Sequence, residues 1–238
     1  MRLSQSDYQL IPVYEYGLLI NFNIQFSDPA YIQQIKFEIE KKFKSDSIDF
    51  VPAYHSLTIH LLPPHVVTTI IMDIDSILRD FEWNEIEKEK ALLNIPVCFA
   101  DAFASDKKRI CDLLHKDWAT ITKELTQQTF TVYMLGFLPG FAYMGMLPET
   151  LKLPRLESPR KKVAAGSVAI ADLQTGIYPT DSPGGWNIIG RTPIPMFDLK
   201  NEQPTLLHVG NSVRYVEISE DEFYVIQNKP MQWKTQVA

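Results

Sequence analysis

Cysteine is scarce in this 238-residue chain, which holds only Cys98 and Cys111. A disulfide framework is therefore excluded as the source of its stability, and the two thiols read as reduced, partly buried groups. Long apolar runs are absent too. No stretch comes near the roughly 18 successive apolar residues that a membrane-spanning helix needs. Residues 1–10, with Ser4, Ser6, Asp7 and two glutamines, have no apolar core of a secretory signal. Both absences point to a soluble chain of the cytoplasm, away from the membrane. Positive charge is short as well, with 23 Lys and Arg against 29 Asp and Glu and a formal net charge of -6. The longest basic runs are Lys107-Lys108-Arg109 and Arg160-Lys161-Lys162. Nucleic-acid binders draw affinity from counterion release over a broad cationic surface, so that function class is set aside. There is no glycine-rich loop ending in Gly-Lys-Ser/Thr and no Gly-x-Ser-x-Gly elbow. The histidines at 55, 60, 65, 115 and 208 lack zinc-ligand spacing, so no metal is expected.

What is present is a core-forming apolar fraction of 45%. Leu18–Ile24 alternates apolar and polar and predicts a strand. Ser27-Asp28-Pro29 follows, Asp28 as a helix N-cap and Pro29 as the first helical residue. Ile32, Ile35, Ile39 and Phe43 then mark one face of a helix. Two more strands are predicted over 48–52 and 57–61. A second helix opens at Pro63-Pro64, with Val67, Ile70, Ile71, Ile74, Leu78 and Phe81 on its buried face. A strand returns over 92–99, unless it begins the second domain. This order, strand, helix, strand, strand, helix, strand, predicts a ferredoxin-like α+β domain over residues 1–90. The charged stretch 82–90 is the boundary. Beyond it, helices are predicted around Ile110–Leu114 and from Asp117 through Leu125. Short strands separated by Gly and Pro follow at 131–137, 168–171, 176–178, 187–191, 205–209 and 212–218. They predict a barrel or sandwich over 91–238.

Unusual residues concentrate between Tyr133 and Arg191. Gly136-Phe137-Leu138-Pro139-Gly140-Phe141 interleaves Gly and Pro with aromatics, which suits either a rigid ligand-facing loop or a tight barrel corner. Arg155 and Arg160 are fork-shaped donors for a carboxylate or phosphate, or ordinary surface arginines. Gly166 and Ser167 permit close approach and offer a hydroxyl, or simply start a buried strand. No neighbouring His activates Ser167 as a nucleophile. Gln174 offers an amide, and Tyr178 and Trp186 two flat walls. Gly184-Gly185 is a candidate anion-binding nest of backbone N–H groups, or an ordinary turn. Asp172 and Asp181 do not establish a carboxylate pair, and no catalytic residue is assigned.

These segments resemble one family. Tyr133-Met134-Leu135-Gly136-Phe137-Leu138-Pro139-Gly140-Phe141, Ala165-Gly166-Ser167-Val168-Ala169-Ile170, Gln174-Thr175-Gly176-Ile177-Tyr178-Pro179 and Ser182-Pro183-Gly184-Gly185-Trp186 are similar to the signature of KipI-like proteins. That family is also known as the first subunit of allophanate hydrolase, or the B subunit of 5-oxoprolinase. Ile189–Pro193, Phe197-Asp198, Val51–Leu57 and Ile95–Phe99 continue the match.

The resemblance implies a small α/β domain followed by an all-β, cyclophilin-like barrel. It implies a non-autonomous subunit of an ATP-dependent 5-oxoprolinase, with ATP used at the level of the complex. The partners would be the enzyme's A subunit, and its C subunit, a homologous barrel protein expected as a separate polypeptide. The alternative within the family is an inhibitor of a sensor histidine kinase. The substrate-binding residues expected on this basis are Pro139, Phe141, Arg160, Gly166, Ser167, Gln174, Tyr178, Gly184, Gly185 and Trp186. Arg160 and the Gly184-Gly185 backbone would hold an anionic group, and the three rings would exclude water. The chain departs from the pattern at residues 99–106, at Leu125 where members carry His, and at Ala171-Asp172-Leu173 where they often carry Ala-Gly-Gly.

Overall fold

Alternation at Leu18–Phe22 does produce a strand, but the strand beside it comes from a segment with no such alternation. A computed structural model describes residues 3–23, 29–43, 48–63, 65–82 and 92–229. The chain divides into two units, residues 1–88 and 89–238. In the first, Tyr8–Tyr14 (β1) pairs with Gly17–Phe22 (β2) as an antiparallel hairpin. Pro29–Lys42 (α1), Ile48–Pro52 (β3), Ser56–Leu61 (β4) and Val67–Asp80 (α2) follow. The four strands lie in the order β1-β2-β4-β3, every neighbouring pair antiparallel. The predicted helix faces are the buried ones: Ile32, Ile35 and Ile39 on α1, and Val67, Ile70, Ile74 and Leu78 on α2. They meet Leu18, Ile20, Phe22, Leu57, Ile59 and Leu61 from the sheet in one core. Pro29 does begin α1, while the expected cap Asp28, the strand end Ile24, Pro64 and residues 83–90 lie outside the described residues.

The ferredoxin-like order is corrected here. The sixth predicted element, Leu92–Val97 (β5), belongs to the other unit, where it pairs in parallel with Ser212–Glu217. The sheet position it would have filled is taken by β1 at the N-terminal side. An open strand edge beside β2 is satisfied equally well by a hairpin partner from upstream, because only the ladder has to be completed.

The second unit is mostly β. After β5 come Lys107–Leu114 (α3) and Trp118–Thr126 (α4), the latter capped by the Asp117 side chain, which accepts from Thr120 N–H. Phe130–Leu135 (β6), Ala142–Gly145 (β7), Arg160–Val163 (β8), Ser167–Ala171 (β9), Gln174–Ile177 (β10), Ser182–Gly184 (β11), Asn187–Arg191 (β12) and Ser212–Glu217 (β13) follow, then Glu220–Asn228 (α5). Seven strands form one sheet in the order β12-β9-β10-β7-β6-β13-β5. Its two edges meet where Cys98 and Arg191 exchange backbone hydrogen bonds of 2.8 and 3.0 Å, so the sheet curls into a nearly closed barrel. The predicted strand at 205–209 is instead a loop touching Phe197 through a single bridge at Thr205.

Strand β9 is buried along its whole length. Val168 and Ile170 point into the barrel core, while Ala169 and Ala171 lie under a second cluster outside it. This two-sided burial is what lets a loop-rich layer pack onto the barrel wall. The ribbon β8–β11, separate from the main sheet, is part of that layer. Leu125 lies fully buried in the barrel core beside Ile110 and Ile121. The departure from the family pattern at this position therefore fills the interior. Leu125→Ala should lower stability by about 2–5 kcal/mol, measured by urea denaturation followed through tryptophan fluorescence. An unchanged midpoint would refute the placement.

Candidate functional site

Arg160 opens β8, directly opposite Gly184 of β11. Its guanidinium is held by two fixed acceptors. Nη1 donates to the Trp186 carbonyl at 3.2 Å, and Nη2 donates to Oδ1 of Asp106. Asp106 precedes α3 and is only 7% exposed. Its other oxygen, Oδ2, accepts the Ile188 N–H at 2.6 Å, so a single carboxylate fastens the start of α3, strand β12 and the guanidinium of β8.

Beside this pair lies a cleft of about 170 Å³. Arg160, Lys162 and Arg191 line it, together with Ser167 and Phe103, and among the described residues no acidic one does. Arg191 is steered by Nε donating to the Ala165 carbonyl at 2.7 Å, and its guanidinium stands 6.0 Å from the centre of the Phe223 ring. Lys162 pairs with Asp181 at 2.8 Å, both largely exposed. The Lys162 ammonium, and then the Ala165 N–H, hold the Asp181 carboxyl below its ordinary range. This tether is therefore intact above the usual carboxylate pKa and is lost as pH falls through the depressed value. Exposed pairs of this kind add little stability.

The three rings expected to wall a pocket are instead packed on one another. Phe141, Tyr178 and Trp186 are 1%, 2% and 5% exposed. The Phe141 ring makes T-shaped contacts at 5.3 Å with Tyr178 and 5.7 Å with Trp186. Burial pushes the Tyr178 hydroxyl above its ordinary pKa, outweighing the Trp186 N–H and Arg160, which act the other way. The same cluster includes Val163 and Ile188, which also line the cleft. The aromatics thus support two walls of the cleft from behind and do not form its surface.

The glycines act through room and conformation. Gly184-Gly185 is no nest: Gly184 ends a strand and neither residue has positive φ, the conformation a nest requires. Gly184 is needed because a Cβ there would stand 2.3 Å from the Tyr178 hydroxyl oxygen. Gly166 has φ +81°, and a Cβ would stand 2.4 Å from the Thr192 carbonyl. It ties Tyr178 and Thr192 together through its own N–H and carbonyl.

Of the expected residues, then, Arg160 and Ser167 line the cleft; Gly166 precedes Ser167 and Gly184 stands opposite Arg160, while Phe141, Tyr178 and Trp186 pack behind Val163 and Ile188. Gly185 accepts the Leu156 N–H at 2.8 Å. Pro139 is exposed on the 136–141 loop, and Gln174 sits half-buried between Gly145 and Ala171 on the barrel sheet. Neither lines the cleft. Asp106, Lys162 and Arg191 are additions. So is Asn187, which is fully buried, accepts from Arg109 Nε at 3.1 Å and donates to the Pro154 and Ile170 carbonyls. The altered 99–106 segment contributes Ala102, Phe103 and Ser105 to the cleft wall. In the other altered segment, Asp172 adopts φ +51°, a conformation Asp tolerates better than most residues and Gly takes freely. Among the described residues no group of three or more His, Cys, Asp or Glu is placed to hold a metal, and no helix is long and apolar enough to cross a membrane.

The model of the carboxyltransferase domain, subdomain C and D, matches residues 8–207. The chain belongs to that family. Within it, the B subunit of 5-oxoprolinase from Bacillus subtilis is 31% identical over 234 residues, 93% of this chain and 98% of that protein. The protein of the same name from Escherichia coli O157:H7 is 36% identical over 176 residues, 71% of this chain and 77% of the relative. Among solved structures, TTHA0988 superposes with a TM-score of 0.71 at 28% identity, covering 87% of this chain. This chain spans 40% of that one's length.

The cleft of this family member depends on an ion pair whose acid is almost wholly buried. Its removal leaves the buried Ile188 N–H without an acceptor, while Arg160, 28% exposed, can still reach water. Asp106→Ala should therefore destabilise the protein by about 1–3 kcal/mol, read as a shift in urea midpoint. A neutral result would show that Asp106 does not bear on the fold.

Proposed function

We propose that this protein is the B subunit of an ATP-dependent 5-oxoprolinase. It acts with the enzyme's A subunit and with its C subunit, a homologous barrel protein, to open 5-oxoproline to glutamate. The observation that carries this is the near full-length similarity to the Bacillus subtilis protein of that name. The cyclophilin-like type of the barrel and a cytoplasmic location belong to the same proposal. No observation favours the kinase-inhibitor alternative, and the relatives above are named as oxoprolinase subunits.

The chemistry suits a shared site. A lactam carbonyl is resonance-stabilised and resists water. Phosphoryl transfer from ATP to the lactam oxygen, releasing ADP, makes the ring carbon electrophilic. Water adds there, and the ring C–N bond breaks as the nitrogen takes a proton. A second water hydrolyses the resulting acyl phosphate to glutamate and phosphate. Substrate, intermediate and product are all anionic, which suits the cations Arg160, Lys162 and Arg191 of the cleft. Its volume, about 170 Å³, is below the roughly 300–1,000 Å³ of pockets for drug-sized ligands. That supports a small acid in this cleft and a place for ATP elsewhere in the complex.

Reconstitution with the A and C subunits, followed by ATP-dependent glutamate release, tests the proposal. Wild type should turn over 5-oxoproline. Arg160→Ala should lower kcat/KM by about tenfold or more, the scale of a lost charge-assisted contact. Trp186→Ala should lower it too, along with the melting temperature, since it removes the packing behind Val163 and Ile188 of the cleft wall. An inert wild-type complex, or undiminished turnover in both variants, would overturn the assignment.

A further inference from the structure

We propose that the cleft framed by Arg160, Lys162 and Arg191 is a binding subsite for a small oxyanion, carboxylate or phosphoryl, and that Asp106 is the positioning residue that aims Arg160 into it. Only the identity of the acid rests on the oxoprolinase assignment. The cleft itself does not.

Three cations converge on one small cavity in a chain of net charge -6. Unopposed, they would repel one another. Each is held by a partner that leaves donors unspent. Arg160 is fixed by Asp106 and the Trp186 carbonyl. The described hydrogen bond of Arg191 uses Nε alone, at the Ala165 carbonyl. Among the described residues Lys162 is tied to the exposed Asp181, a contact that water or a ligand readily exchanges. Two planar guanidinium groups held in advance match the flat fork of a carboxylate or the face of a phosphate, and they lose little entropy on binding. Asp106 neutralises one charge but stands outside the lining, so the surface a ligand meets remains positive. The Ser167 hydroxyl adds a neutral donor, and Phe103, Val163 and Ile188 give an apolar side against which a small ring or chain can lie.

The test is isothermal titration of the full chain with 5-oxoproline, with 2-pyrrolidinone, which is the same ring without the carboxylate, and with inorganic phosphate. One or both oxyanions should bind, and 2-pyrrolidinone should not at the same concentrations. Binding of 5-oxoproline alone identifies the substrate carboxylate as the occupant. Binding of phosphate alone identifies a phosphoryl group. Lys162→Glu, at an exposed position that should not disturb folding, is expected to weaken binding at least about fivefold, and Arg191→Lys about tenfold. Asp106→Asn keeps an acceptor for the Ile188 N–H but loses the ion pair, so it should weaken binding about fivefold, with Asp106→Glu restoring part of the loss. Unchanged affinity in Asp106→Asn removes the positioning role. Absence of binding by either oxyanion, or binding indifferent to Lys162→Glu and Arg191→Lys, overturns the subsite. A chain that binds 5-oxoproline in a complex that does not hydrolyse it would leave the subsite standing and the oxoprolinase assignment fallen. A complex that hydrolyses 5-oxoproline around a chain that binds neither oxyanion would do the reverse.

Discussion

The carboxylate of Asp106 is the interaction on which the second unit's working face depends. It is almost wholly buried, and it is shared between the Ile188 N–H and the Arg160 guanidinium. Burying a charge is expensive unless it is both paired and hydrogen-bonded, and here it is both. Because it stands on the turn into α3 while its partners come from β12 and from β8, none of these three can shift without exposing an uncompensated charge. Buried ion pairs are weak sources of net stability; this one gives geometric definition by joining three segments. In this fold that definition falls on the face that carries Arg160, Lys162 and Arg191.

Beneath that face, hydrophobic packing supplies rigidity. Strand β9 faces two cores at once, the barrel interior through Val168 and Ile170 and the aromatic cluster through Ala169 and Ala171. The small alanines leave room for Phe141, Tyr178 and Trp186 to meet edge to face, the arrangement that aromatic quadrupoles prefer. Gly184 lets the ribbon settle against the Tyr178 hydroxyl. Barrel, aromatic layer and ribbon are thus stacked, and the ribbon supplies Arg160, Lys162 and Val163 to the cleft.

Much of this was legible along the chain. The amphipathic faces of α1, α2 and α4 follow from spacings of three and four, and Asp117 announces its helix as a capping residue should. Strand β12 was readable to the residue from its apolar run between Trp186 and Pro193. Helix α5 carried a readable signal, Ser219 with Glu222 three residues on, which forms a capping box. By contrast β1, with Pro12 and an exposed face, shows no alternation and is a strand only because β2 offers it a ladder. The short strands β7, β8 and β11, three or four residues each, are set by their partners rather than by their own composition.

The sequence by itself determined the composition of both cores, helices α1 to α4, the run of strands in the second half and the family, because these rest on local periodicity and on contiguous motifs. Tertiary structure alone decided which sheet claims Leu92–Val97, that the expected pocket walls are a buried stack, and that Asp106, Arg160, Lys162 and Arg191 share one cleft. Those facts depend on distant residues meeting through hydrogen bonds: Asp106 and Ile188 lie 82 positions apart, and Leu92 stands opposite Ser212. A hydrogen bond between distant residues leaves no periodic trace in either segment, and a charge reveals its partner only once the chain has closed around it.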